Sequence, residues 1–224
     1  MTEPTLYPES GFRRLRIDLA YDGTNFAGWA KQPDQRTIQE CLEESLAKIS
    51  QINPETIVAG RTDAGVHATG QVIHVDLPEN LSLDDLVYKL NRLLDQDIRV
   101  HKISLAPEAF HARFSALRRK YRYKILDDNR VLDPLARLDV ATWYRALDVD
   151  VMNKTSQILL GKHDFAAFCK FREGATTVRT LEKYEWMRNA DGFLVADIVA
   201  DAFCYSMVRN LVGAVVCVAD GRFD

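Results

Sequence analysis

Hydrophobic and polar positions along the chain follow two periods. Leu15, Ile17, Leu19 and Tyr21 alternate with Arg16, Asp18 and Ala20, which predicts a half-buried strand ending at Asp22-Gly23. Thr37 and Glu40 stand at capping-box spacing, and Ile38, Leu42, Leu46 and Ile49 then share one face of a helix. Thr56–Ala59 and Val72–Leu77 read as apolar strands on either side of a glycine-rich loop. Ser82 opens a second helix with Leu86, Leu90 and Leu93 or Leu94 inward, and Ile98–Leu105 closes the unit as a strand. The order β-α-β-β-α-β is the split arrangement of ferredoxin-like domains, an antiparallel sheet with helices on one face.

The order then begins again. Tyr121, Tyr123 and Ile125 alternate with basic residues as a strand; a helix through Val151–Leu160, strands near Val178–Met187 and Phe193–Asp201, and a helix from Ser206 to about Val218 follow. The expected fold is α+β: two ferredoxin-like halves, residues 12–108 and 109–224, forming a mostly antiparallel sheet with helices on one face. No residue-level repeat links the halves, so the duplication rests on element order. The last C-terminal strand is missing, which would leave a sheet edge or helix face uncovered. A truncated chain, or cover from a partner subunit, is the expectation that follows.

Composition narrows the class. The chain has 224 residues, 47% hydrophobic and 27% charged, as in ordinary globular proteins. No apolar run approaches the roughly 18 residues of a membrane helix, and Met1–Arg16 lacks a signal-peptide core, so a cytoplasmic location without membrane attachment is expected. Cys41, Cys169, Cys204 and Cys217 are widely spaced, which predicts reduced thiols and no metal site. A net charge of −3 leaves any RNA affinity to basic residues gathered on one face. Arg113, Arg118, Arg119, Lys120 and Arg122 are the candidates, though strand alternation sends some of them to opposite faces.

The densest chemistry lies between Ala59 and Gln71. Gly60, Gly65 and Gly70 permit a tight loop that a ligand can approach closely, and Arg61, Asp63 and His67 supply its charge. The plain alternative is a surface turn in which Asp63 makes an Asx hydrogen bond and Arg61 pairs with it. His67 reads as a hydrogen-bond partner that stabilises the loop. Phe26 and Trp29 read as packing residues.

The run Gly60-Arg61-Thr62-Asp63-Ala64-Gly65-Val66-His67-Ala68, followed by Gly70-Gln71-Val72, resembles the signature of the tRNA pseudouridine synthase A family. Three further segments are similar to family motifs in the same order: Tyr21–Trp29, the Arg-x-Tyr-x-Tyr run Arg119–Tyr123, and Met207–Gly213. His163-Asp164-Phe165 through Phe168-Cys169 also resembles a family segment and reads as structural. One departure is Ala30, where the family commonly has glutamine.

The resemblance implies isomerisation of uridine to pseudouridine at positions 38, 39 and 40 of the tRNA anticodon arm, without cofactor or metal. It implies a homodimer, with one tRNA reaching across both subunits in an RNA-binding cleft between the halves. It names Asp63 as nucleophile, Arg209 as the cation keeping that carboxylate ionised, and Tyr121 as the ring stacked on the target uracil and a candidate to assist proton removal from C5. Arg61 would fill the space left by the extruded nucleotide. On residue types alone, an alternating strand tyrosine such as Tyr121 is more often a core residue, and the alternative for Arg209 is a helix-face arginine reaching water. A buried Arg209 would be costly without a carboxylate.

Two rival classes are weighed against this. A non-catalytic RNA-binding module of ferredoxin-like fold would not need Asp63. A carboxylate-dependent nucleosidase would need a second acid within reach, and the loop offers one.

Overall fold

A computed structural model describes residues 7–222. The chain divides between Ala116 and Leu117 into two compact units. Both are α+β, each built on its own sheet, so the single sheet expected from the sequence is two separate ones.

The first unit runs β1 (Phe12–Tyr21), α1 (Ile38–Ser50), β2 (Ile57–Val58), β3 (Ala68–Pro78), α2 (Leu86–Leu93) and β4 (Ile98–Leu105). Its strands lie in the order β2-β3-β1-β4, every pair antiparallel. Leu15, Ile17 and Leu19 of β1, Ile73, Val75 and Leu77 of β3, and Ile98 and Val100 of β4 meet Ile38, Leu42 and Leu46 of α1 and Leu86 and Leu90 of α2 in one core. Burying each such side chain contributes about 1.5–3 kcal/mol. That sum makes the alternating pattern decisive, because a one-residue slip of register would turn the row outward.

One open alternative is decided, and two details depart from expectation. Leu94 is the residue that turns inward, while Leu93 stays exposed. Strand β3 begins at Ala68, four residues earlier than the apolar run, so Thr69 to Gln71 belong to the sheet. Thr37 occupies the cap of α1 without a side-chain cap bond. The free N–H groups of Ile38 and Gln39 are satisfied instead by the carbonyls of Gly28 and Trp29, at 3.3 and 3.0 Å.

The second unit runs β5 (Arg119–Leu126), β6 (Ala141–Thr142), α3 (Val149–Ile158), β7 (Gly161–Asp164), β8 (Val178–Arg188), β9 (Leu194–Ala200) and α4 (Met207–Ala219). The sheet order is β6-β5-β9-β8-β7, antiparallel except for the two-residue pairing of β5 with β6. Asp148 caps α3 by accepting from the N–H groups of Asp150 and Val151 at 2.8 and 3.2 Å. The short β6 and β7 carry no alternating signal and were not foreseen.

Four free thiols were also expected, and the structure corrects this. Cys169 and Cys204 form a disulfide, their Cα atoms 5.7 Å apart, while Cys41 and Cys217 are free. The two are 35 residues apart in sequence. They meet because the segment after Phe168 lies along the approach to α4, with Lys170 N–H donating to the Tyr205 carbonyl at 2.9 Å.

Asp127 anchors one end of this unit. Its carboxylate accepts from both terminal nitrogens of Arg188 at 2.7 and 2.9 Å, from Arg130 at 2.9 Å and from the Leu147 N–H at 2.9 Å. Burial pushes its pKa up, but these bonds outweigh it and hold the carboxyl well below the ordinary range. Its stabilising effect is therefore fully present above the unfolded-state pKa of about 4 and is lost as pH falls toward the lower folded value. Asp127→Asn is expected to lower stability to urea at pH 7 by about 2 kcal/mol and to flatten the decline of stability below about pH 4. An unchanged urea midpoint would remove Asp127 from this role.

Candidate functional site

The glycine-rich loop Ala59–His67 is held by a second loop, Asp22–Trp29, that follows β1. Trp29 N–H donates to the Thr62 carbonyl at 3.0 Å, and Gly65 N–H donates to the Phe26 carbonyl at 3.3 Å. Beneath them Tyr21, 4% exposed, shares a hydrogen bond with Thr62 Oγ1 at 2.8 Å. Gln71 Nε2 donates both to the Tyr21 hydroxyl at 3.1 Å and to the Gly60 carbonyl at 2.8 Å. Burial raises the pKa of Tyr21, so the hydroxyl keeps its proton and remains a donor.

The two loops approach closely enough to dictate residue type. A Cβ on Gly23 would lie 2.1 Å from the Val66 carbonyl oxygen, so no other residue fits there without moving the backbone. Val66 N–H closes a β-turn onto the Asp63 carbonyl at 3.2 Å, and its third residue, Gly65, has φ +76°. Asp63 thus starts a turn whose backbone is fixed from below, with its own side chain half-buried.

His67 does what was expected of it. Its Nδ1 lies 3.2 Å from Gly23 N and 3.0 Å from Asp22 Oδ1, so it accepts from the first or donates to the second. Asp22 is held below the usual carboxylate range by the Thr24 hydroxyl and N–H, with a smaller share from His67. Phe26 and Trp29 are buried, as packing residues. The Arg36 guanidinium lies 4.0 Å over the Phe26 ring and binds Asp95 and Asp97, tying the second loop to the start of β4.

Arg61 is exposed and makes no hydrogen bond or ion pair among the described residues, so the surface pair with Asp63 is not formed. Arg113 is exposed in the turn after β4, in the same unit.

The remaining candidates lie in the second unit. Tyr121 is half-buried against its core, with its ring edge-on to Phe203 at 5.0 Å. Arg119 shares its face of β5 and donates to the Asp201 carbonyl at 2.7 Å. Lys120 and Arg122 point the other way and both bind Asp197, at 3.1 and 3.0 Å. Arg118 is exposed beside Glu182 at 3.4 Å. The run of basic residues is thus divided between two faces and largely balanced by neighbouring acids. Arg209 projects from the exposed side of α4 next to Asn210, which donates to the Phe168 carbonyl at 2.9 Å. The cost of burying that guanidinium does not arise.

Sequence reasoning placed Tyr21 on a strand and Thr62 and Gln71 in the motif but missed their supporting role, because spacing does not show which hydroxyl and amide meet beneath a loop. It missed Phe203 for the same reason.

The family model for tRNA pseudouridine synthase matches residues 19–115 and 156–224, which include both clasped loops, β8, β9 and α4. The chain is 53% identical over 213 residues to tRNA pseudouridine synthase A of Frankia casuarinae, covering 95% of this chain and 78% of that protein. It is 50% identical over 220 residues to that of Streptomyces griseus, covering 96% and 78%, and 50% identical over 229 residues to that of Leifsonia xyli, covering 93% and 80%.

The clasp yields two expected outcomes. Tyr21→Phe leaves the Thr62 and Gln71 groups short of a partner and should cost about 1–2 kcal/mol in urea unfolding, with faster hydrogen exchange in residues 59–67. Gly23→Ala should lower the thermal midpoint by several degrees, whereas Gly70→Ala, where a Cβ meets nothing within 4 Å, should leave it near wild type. Equal midpoints for the two glycine variants would show that the loops are not held together in this way.

Proposed function

The chain belongs to the tRNA pseudouridine synthase A family, and from that membership we propose that it isomerises uridine to pseudouridine in tRNA at positions 38, 39 and 40 of the anticodon arm, with Asp63 as the nucleophile. The observation that carries the assignment is the clasped loop, which holds Asp63 at the start of a turn with a fixed backbone. Such preorganisation is what a reacting carboxylate needs, since small misplacements cost orders of magnitude in rate.

In the reaction the C1′–N1 bond breaks and a C1′–C5 bond forms, while C5 loses a proton and N1 gains one. No atoms are lost, and no oxidant or cofactor enters. Asp63 attacks the ribose or the base. Arg209 supplies the positive charge that keeps the carboxylate ionised. Tyr121 stacks on the uracil and assists removal of the C5 proton. Arg61, exposed and without a partner among the described residues, occupies the space left by the extruded nucleotide. Arg113, Arg118 and Arg119 contact the RNA backbone.

The strand order β2-β3-β1-β4 supports a ferredoxin-like first half, and β5, α3, β8, β9 and α4 follow the same course in the second. A homodimer in the cytoplasm, acting on one tRNA across two subunits, completes the reading. No helix among the described residues is long and apolar enough to cross a membrane.

The test is conversion of uridine in an unmodified tRNA transcript. The wild-type protein should convert it without releasing uracil, and Asp63→Ala should lose at least about a thousand-fold in rate while still binding the transcript. Turnover by Asp63→Ala removes the nucleophile assignment, and free uracil among the products favours a nucleosidase. Tyr121→Phe should retain binding with turnover reduced by about a hundred-fold, the scale of a lost acid-base group. Full activity would leave Tyr121 the stacking role alone.

A further inference from the structure

The turn after β4 ends in an aromatic ring that faces water. Phe114 is 75% exposed, yet it is not a loosely hung side chain. The imidazole of His111 lies flat against it, with ring centroids 4.3 Å apart and planes 27° from parallel. The Arg113 guanidinium carbon stands 5.7 Å from the ring centre.

What supports the ring is rigid. His111 is 7% exposed, and its carbonyl accepts from the N–H groups of Phe114 and Ser115 at 3.0 and 2.7 Å. Its own N–H donates to the Ser115 hydroxyl at 3.2 Å. The ring of His74 packs edge-on against that of His111 at 4.9 Å, and His74 Nδ1 accepts from the Ala112 N–H at 3.0 Å. Below, Arg14 is bound twice by Asp76, at 2.8 Å each, and donates to the carbonyls of Glu108 and Phe110 at 2.8 and 3.1 Å. Burial first, then the Arg14 charge, pushes both imidazoles down in pKa, His74 to about 4, so uncharged rings back the phenyl group at neutral pH.

We propose that Phe114 is a stacking platform for an unpaired base of the bound tRNA, with Arg113 beside it engaging the adjoining phosphate. The proposal rests on the function read above and adds a contact to it. A flat ring supported on one side, held by a fixed turn and flanked by a cation is the arrangement by which proteins hold single-stranded nucleotides without reading sequence. Because the turn is ordered beforehand, little entropy is lost when a base settles on it. A core role does not account for a ring that leaves three quarters of its surface in water.

Affinity for an unmodified tRNA transcript, measured by filter binding on the full chain, tests it. Phe114→Ala and Phe114→Leu should each weaken binding at least about five-fold, the lower end for losing one base–aromatic stack. Phe114→Trp should restore it, and the emission gained by that variant should be quenched when tRNA is added, beyond any change seen in the wild-type protein. Wild-type affinity in Phe114→Ala, full affinity in Phe114→Leu, or an unquenched Phe114→Trp overturns the proposal. So does a loss of self-association in Phe114→Ala with tRNA affinity intact, which would make the ring a contact between copies of the chain. Formation of pseudouridine by the wild-type protein is followed in the same samples. If it occurs and Phe114→Ala binds normally, only the stacking platform falls; if it does not occur, the functional reading falls by itself.

Discussion

Backbone hydrogen bonds between two loops, Asp22–Trp29 and Ala59–His67, are the constraint on which the first unit's chemistry depends. Neither loop has regular structure of its own, so each relies on the other to satisfy its N–H and carbonyl groups. Thr62 is the hinge of the arrangement, its carbonyl taken by Trp29 and its hydroxyl by Tyr21. Asp63 follows directly and inherits that rigidity. The Asp22–Trp29 loop also completes α1, because Gly28 and Trp29 supply the acceptors that the Thr37 side chain does not.

The face of the sheet away from the helices is organised by different means. Arg14 and His74 sit there among apolar strands, buried and hydrogen-bonded, and they bind the turn that follows β4. A buried guanidinium is tolerated because Asp76 and two carbonyls take up its donors. The outcome is a short polar stem with an exposed ring at its tip. In the second unit the Asp127 cluster and the Cys169–Cys204 bridge hold the segments that lie between regular elements. That bridge lies close in sequence to α4, whose first turn carries Arg209.

Electrostatics separates the support of the glycine-rich loop from that of β5. Around Asp63 the supporting bonds are mostly neutral, from peptide groups, a phenol, a hydroxyl and an amide. On the outer face of β5 they are ionic, and Asp197 binds both Lys120 and Arg122. A basic run in a sequence is therefore a poor measure of positive surface, since the acids that balance it come from other strands.

Much of the architecture was legible in the residues. The alternation of Leu15, Ile17, Leu19 and Tyr21, and the helical spacing of Ile38, Leu42 and Leu46, reappear as strand and helix because burying those rows outweighs other local preferences. The Gly-Arg-Thr-Asp run marked the candidate site, since local motifs are written contiguously. Three things depended on the fold: the partnership of Tyr21 and Gln71 beneath Thr62, the meeting of Cys169 with Cys204, and the exposure of Phe114 upon His111. Each joins residues far apart in the chain or depends on what fails to cover a side chain, and neither is encoded in spacing. Periodicity determined the elements and the motif located the chemistry, whereas long-range packing decided which side chains hold the reacting loop in place and which face the solvent.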